Sequence, residues 1–227
     1  MVGAMLAAVV VALLQTDTKP DLSAGPTYNG KTVTAWIDSI QMANAEDAAV
    51  TNLVAIGAPA LPYLIRATEW TPSRLDQLGR FVWKHAGWAA PRLHLPHPEE
   101  IRRRSNSKRG ALHVLARLGP VAKDALPALR RVWRDPDWGN RAFGLSAIAT
   151  IGPEPKDIPL LIKALNDKHR IVRIQGARGL GNLGFQSQEA TRALRQALRD
   201  EDEGVRKFVS ATLMKIDPKA AGEAGLK

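Results

Sequence analysis

The chain has 227 residues, a formal net charge of +10 and no cysteine. Without cysteine there is no disulfide framework, no thiolate zinc site, no cysteine nucleophile and no lipid-modified cysteine anchor. A hydrophobic content of 45% is enough for a continuous core, in one domain or one elongated array.

From Val2 to Leu14 the sequence is uncharged and mostly apolar. That is short of the roughly 20 residues a spanning helix needs and within the 7 to 15 or so of a signal-peptide core. Residues 1–18 therefore read as a signal peptide or membrane-anchor segment, which implies an exported, periplasmic or membrane-tethered protein. The alternative is a buried helix of a cytoplasmic protein, since no Lys or Arg precedes the run and no clear Ala-x-Ala site follows it. Residues 19–30, rich in Pro, Gly, Ser and Thr, read as a linker; 31–218 as the folded array; and 219–227 as a C-terminal tail.

Within the array one pattern recurs. Val50, Leu53 and Ile56 precede Gly57 by seven, four and one residues; Leu112, Leu115 and Leu118 precede Gly119 in the same way. Leu145, Ile148 and Ile151 do so before Gly152, and Ala177, Leu180 and Leu183 before Gly184. Spacings of three and four make one helical stripe, whereas a strand would alternate. Eight residues before each glycine stands Ala49, Ala111, Gly144 or Gly176, small enough for a neighbouring helix to come close. After the glycine a Pro-containing turn leads into a second helix such as "ALPALRRVW" or "IPLLIKAL". The unit is a helical hairpin, which buries its apolar face only by stacking on further copies.

An Asp recurs at Asp135, Asp167 and Asp200, and an Arg at Arg141, Arg173 and Arg206, each spaced by 32 or 33 residues. Recurrence at the repeat period points to structure rather than acid–base chemistry. Each Asp is expected to cap the next helix and each Arg to bond a carboxylate or carbonyl in an adjoining repeat. The copy that begins at Ile56, "IGAPALPYLIRATEW", lacks both residues, and its Gly57 lies 62 residues before Gly119, nearly two periods, so 70–107 is either a degenerate repeat or an insertion.

The "LPAL" helix followed by "VRxxAxxxLGxLG", clearest from Asp167 to Gly184 and from Asp200 to Ile216, resembles short HEAT-type repeats, related to those of phycobilin-lyase-like proteins. The resemblance covers most of Asn44 to Pro218. "YNGKTVTAWIDSI", Tyr28 to Ile40, is similar to the lead-in of exported bacterial HEAT-repeat proteins. This implies an all-α fold, a right-handed α-solenoid of HEAT-like hairpins. The Trp36 helix would close one end and Gly204 to Ile216 the other, with Lys207, Lys215 and Lys219 on a solvated outer face.

Ile101 to Arg134 holds ten Lys/Arg against the single acid Asp124. Arg102, Arg103, Arg104, Lys108, Arg109, Arg130, Arg131 and Arg134, with Trp83 and Trp88 from the aromatic stretch "RFVWKHAGW", are the candidate partner-binding residues. Three uses fit the basic cluster: a solvated or ladder-forming face, an acidic protein, glycan or membrane surface, and a nucleic-acid grip. The last lacks aromatic residues interleaved with the basic run to stack bases.

"GLGNLG", Gly179 to Gly184, matches a dinucleotide fingerprint but ends a helix instead of opening one, so it is read as packing. His94 and His97 with Glu99 and Glu100 are ligand types, yet Pro96 and Pro98 break the helix that would align the rings; no metal and no cofactor is expected. No nucleophile with its base, no phosphate loop and no small-molecule site is visible. The leading expectation is a noncatalytic scaffold for a protein partner in the bacterial cell envelope. Two alternatives stay open: a nucleic-acid binder resembling HEAT-like DNA glycosylases and using residues 101–134, and an enzyme resembling the phycobilin lyases.

Overall fold

A computed structural model describes residues 25–41, 47–184 and 187–223. The expected leader 1–18, the linker up to Ala24 and the last four residues of the tail lie outside the described residues. The described chain opens with a two-stranded antiparallel ribbon, β1 (Thr27–Tyr28) and β2 (Lys31–Thr32), the first strand of which lies inside what the sequence suggested was linker. Helices follow in order: α1 (Val33–Asp38), α2 (Ala48–Ile56), α3 (Leu61–Glu69), α4 (Arg74–Ala86), α5 (Pro98–Leu118), α6 (Leu126–Val132), α7 (Trp138–Ile151), α8 (Ile158–Ala164), α9 (Arg170–Leu183), α10 (Gln188–Ala197), α11 (Glu203–Ile216) and α12 (Pro218–Glu223).

They form an α-solenoid. A short helix packs on the long helix that follows it: α6 on α7, α8 on α9, α10 on α11. The long helices stack in turn, α2 on α5, α5 on α7, α7 on α9 and α9 on α11. The apolar stripes fill the space between, with Leu53, Leu112, Leu115, Ile148 and Leu180 at 0–1% exposure. Gly57, Gly119, Gly152 and Gly184 all end long helices at positive φ, between 56° and 114°. A side chain there would meet the left-handed backbone penalty, which is why the corner selects glycine.

The small residues of the stripe have a specific neighbour. A Cβ on Gly176 would stand 2.8 Å from the Cβ of Ala164 and 2.9 Å from the carbonyl of Leu161. α9 thus lies almost backbone to backbone on α8, and on α7 a Cβ at Gly144 would stand 3.0 Å from the Val132 side chain of α6.

The same pairing decides the nature of the irregular region. α3 packs on α5 as α6 does on α7, so α3 and α5 are the two helices of one hairpin. Residues 70–97, carrying α4, are an insertion between them. The insertion also lengthens its long helix: α5 has 21 residues where α7, α9 and α11 have 14 each. Pro98 at the first turn, Glu99 and Glu100 beside the N-terminal dipole, and the His97 cap start the extra two turns.

Both ends are sealed. At the N-terminal end Val33, Ile37 and Ile40 of the α1 region are buried, and Ile40 occupies the space a Cβ on Gly110 would need. Trp36 donates its indole N–H to the Tyr28 carbonyl at 2.8 Å. At the other end α12 covers α11 and buries Ala221, so the first part of the expected tail is a further helix of the array.

Candidate functional site

Counting back eleven residues from each corner glycine gives Lys108, Arg141 and Arg173, and these three hold a ladder. Lys108 donates to Asp135 at 2.7 Å; Arg141 pairs bidentately with Asp167 at 2.9 Å; Arg173 reaches Asp200 at 2.8 Å. Each cation also donates to a carbonyl at the turn of its own hairpin: Trp70, then Asp135 and Pro136, then Asp167 and Lys168. Every rung therefore crosses from one repeat to the next. Arg206 makes the carbonyl bonds, to Asp200 and Glu201, but has no carboxylate partner among the described residues.

Two sequence expectations change here. Lys108 does not belong to a surface cluster: it is 2% exposed and is the first rung, with Lys in place of Arg. Nor are the shared aspartates the N-caps. The caps are Asp137, His169 and Asp202, two residues further on. Asp135, Asp167 and Asp200 instead accept the backbone N–H of those cap residues and so set the turn from which the cap acts. Burial alone would raise the Asp167 carboxyl, but hydrogen bonds from Arg141 and the His169 amide outweigh it and hold the group below the usual carboxylate range.

Most of the remaining basic cluster is also paired, with acids that sit outside the 101–134 window. Arg130 bonds both oxygens of Asp157 and one of Glu154, and these contacts raise its already high pKa. Arg109 meets Asp137 at 3.0 Å, Arg131 meets Glu69, Arg102 meets Glu99, and Arg104 meets Glu100 with Asp76 at 3.9 Å. Arg103 and Arg134 are exposed and have no ion-pair partner among the described residues; Arg134 lies beyond the end of α6. Arg117 and Lys123 likewise have no ion pair among the described residues, so six of the ten cations in that window meet carboxylates, which interrupts the row of free cations that a phosphate backbone needs.

The insertion is built differently. Ser73 and Asp76 form a reciprocal cap at the start of α4, and Asp76 is 2% exposed. Gly79 rests on the Pro96 carbonyl, while Ala90 and Leu95 anchor the return segment. Trp83 is half buried edge-on against His97 at 4.6 Å, so it supports the insertion rather than projecting from it. Trp88 projects: it is 74% exposed, with the Arg92 guanidinium 5.6 Å from its ring. Phe81 at 62% and Leu78 at 40% share its exposure, three residues apart on α4. Phe81 belongs to the aromatic stretch that the sequence marks but, like Leu78, is not among its candidate partner-binding residues; their helical spacing is the available signal.

A second surface runs along the long helices. Phe143 and Gln175 stand nine residues before their corners, His113, Ser146 and Arg178 six before theirs, and Phe208 takes the matching place on α11. All six are half buried. His113 meets Phe143 edge-on at 5.8 Å and Arg178 lies 5.6 Å over Phe208. The stacking of α5, α7, α9 and α11 joins these positions into one strip, about 30 Å long at 8–10 Å per helix spacing. Among the described residues no group of three His, Asp or Glu is placed to hold a metal ion.

Stacked hairpins tied by a ladder of charges define a helical repeat scaffold, a class commonly used for protein interaction. A family model described as HEAT repeats matches residues 102–175 and 158–224, together more than half of the chain. The protein belongs to the HEAT-repeat family. In structure it is similar to an engineered protein solved by crystallography, 18% identical, with a TM-score of 0.46 and 85% of each chain covered. A comparison with curated proteins gives no match.

Proposed function

We propose that the protein is a noncatalytic scaffold of the cell envelope that holds a protein partner along the face of its long helices. The observation that carries this reading is the strip from His113 to Phe208, where aromatic and polar side chains occupy matching register positions on successive helices. The apolar run Val2–Leu14 supports the envelope assignment. The pairing of the cluster at 101–134 favours this reading over nucleic-acid binding, because most of its guanidinium groups already meet carboxylates. Photo-crosslinking from Ser146 in the intact chain, with and without Arg178→Glu, tests the proposal alongside cell fractionation. A discrete crosslinked protein in the envelope fraction, lost in the variant, supports it. Recovery of the same product from the variant, or a wholly cytoplasmic distribution, overturns it.

A further inference from the structure

The insertion answers to a different chemistry from the long-helix strip. Between Arg74 and Pro98 there is one acid, Asp76, and it is buried, capped by Ser73 and near Arg104. Four cations, Arg74, Arg80, Lys84 and Arg92, are exposed and meet no carboxylate among the described residues. Among them stand Leu78, Phe81, Trp88 and Leu93, half of the large apolar side chains that the described structure leaves exposed. Exposed arginines such as Arg102 and Arg131 have found acids while Arg103 and Arg134 have not; within the insertion the single acid is buried, so none of its cations has one at hand.

We propose that this insertion is an interfacial docking element for an anionic phospholipid surface. The apolar side chains would enter the boundary between headgroups and acyl chains while the cations beside them meet lipid phosphates. Protruding Trp and Phe suit that boundary, whereas anchors for a protein partner are typically cradled by a ring of side chains that excludes water. Among the described residues no single helix is long and apolar enough to cross a membrane, so the element lies on a bilayer and does not span it. Its place in the array is consistent with this. Gly25, where the described chain begins, packs on Tyr63 of α3, the helix that leads into the insertion. The stretch from Gln15 to Ala24 reaches at most about 36 Å when extended, so an apolar run held in a bilayer would keep this end of the array close to it. The insertion would then add its own apolar and electrostatic attachment at the same end of the array.

The absence of native cysteine makes the test direct. A polarity-sensitive fluorophore is placed on the full chain at Gln77→Cys on α4, or at Gln188→Cys on α10 as the remote control, both exposed positions. Vesicles of phosphatidylcholine with about one third phosphatidylglycerol should blue-shift the label at position 77 and leave the one at 188 unchanged. Phosphatidylcholine alone should shift neither. Arg80→Gln with Lys84→Gln should weaken the response about thirty-fold, the expected effect of two charges near an anionic surface. Phe81→Ser with Trp88→Ser should abolish it, circular dichroism showing that the helices are retained. The proposal is overturned if the chain floats with vesicles while the label at 77 stays in water, if neutral vesicles shift it equally, or if only a soluble protein fraction shifts it. None of these outcomes bears on the crosslinking at Ser146.

Discussion

Replacing Lys108 with Met tests the ladder at its most buried rung. The substitution keeps an unbranched side chain of similar length but removes the ammonium from a pair whose side chains are 3% and 4% exposed. Asp135 then keeps the Asp137 amide on one oxygen and loses the Lys108 bond to the other, its only one among the described residues, and the Trp70 carbonyl loses its 2.7 Å donor. Leaving one charge of a buried pair uncompensated costs about 3–5 kcal/mol, or roughly 10 °C in the midpoint of a chain this size. Asp135→Asn retains the acceptor for Asp137 and strands the ammonium instead, at a similar cost. If each loss is mainly the stranded charge, the double variant removes both, so its destabilisation should fall short of the summed single effects by about 2 kcal/mol. Arg206→Met is the internal comparison, because it gives up only the carbonyl bonds at 2.8 and 2.9 Å and should cost about 1–2 kcal/mol. Urea titration followed by circular dichroism measures all four. Strict additivity, or a Lys108→Met variant no less stable than Arg206→Met, would refute the reasoning.

The Asp167 carboxyl, held low by Arg141 and the His169 amide against the opposing effect of burial, contributes stability that is present above its unfolded pKa and lost as pH falls through the lower folded value. Asp167→Asn should therefore flatten the fall in thermal midpoint below about pH 4. His113 is lowered first by burial and then by Arg117, so its neutral form is favoured in the fold and stability declines as pH drops from its ordinary 6.5. His113→Gln should remove that decline between about pH 7 and pH 5, read from midpoints in a pH series. Gly176→Ala should cost about 1–3 kcal/mol through its contact with Ala164 and Leu161. Gly184→Ala, with open space but φ of 69°, should cost about 1 kcal/mol by urea titration.

The corners and stripes were legible because glycine at positive φ and apolar residues at helical spacing are local requirements, repeated often enough to align. Arg141 and Arg173 were legible for the same reason. Lys108 was not: the change of residue type and the insertion ahead of it hid the register, although eleven residues back from Gly119 marks the place. Within the basic cluster the pairs of Arg102 with Glu99 and Arg104 with Glu100 are local, but other acids are distant in sequence. Arg131 meets Glu69, 62 positions away, and Arg130 meets Asp157, 27 away. Only folding brings such charges together, so a local count of charge overstated what remains free. The insertion was recognised as irregular, but its position inside one hairpin follows from the packing of α3 on α5, which no spacing in the chain announces.

Because each rung takes its cation from one hairpin and its anion from the next, the ladder has a direction, like tongue-and-groove boards all facing the same way. Adding or deleting a whole unit between Lys108 and Arg206 would always bring a groove to a tongue, while a cut at any other interval would leave one of each buried and unmatched. Duplication by complete periods is therefore the electrostatically cheap way for such a chain to change length.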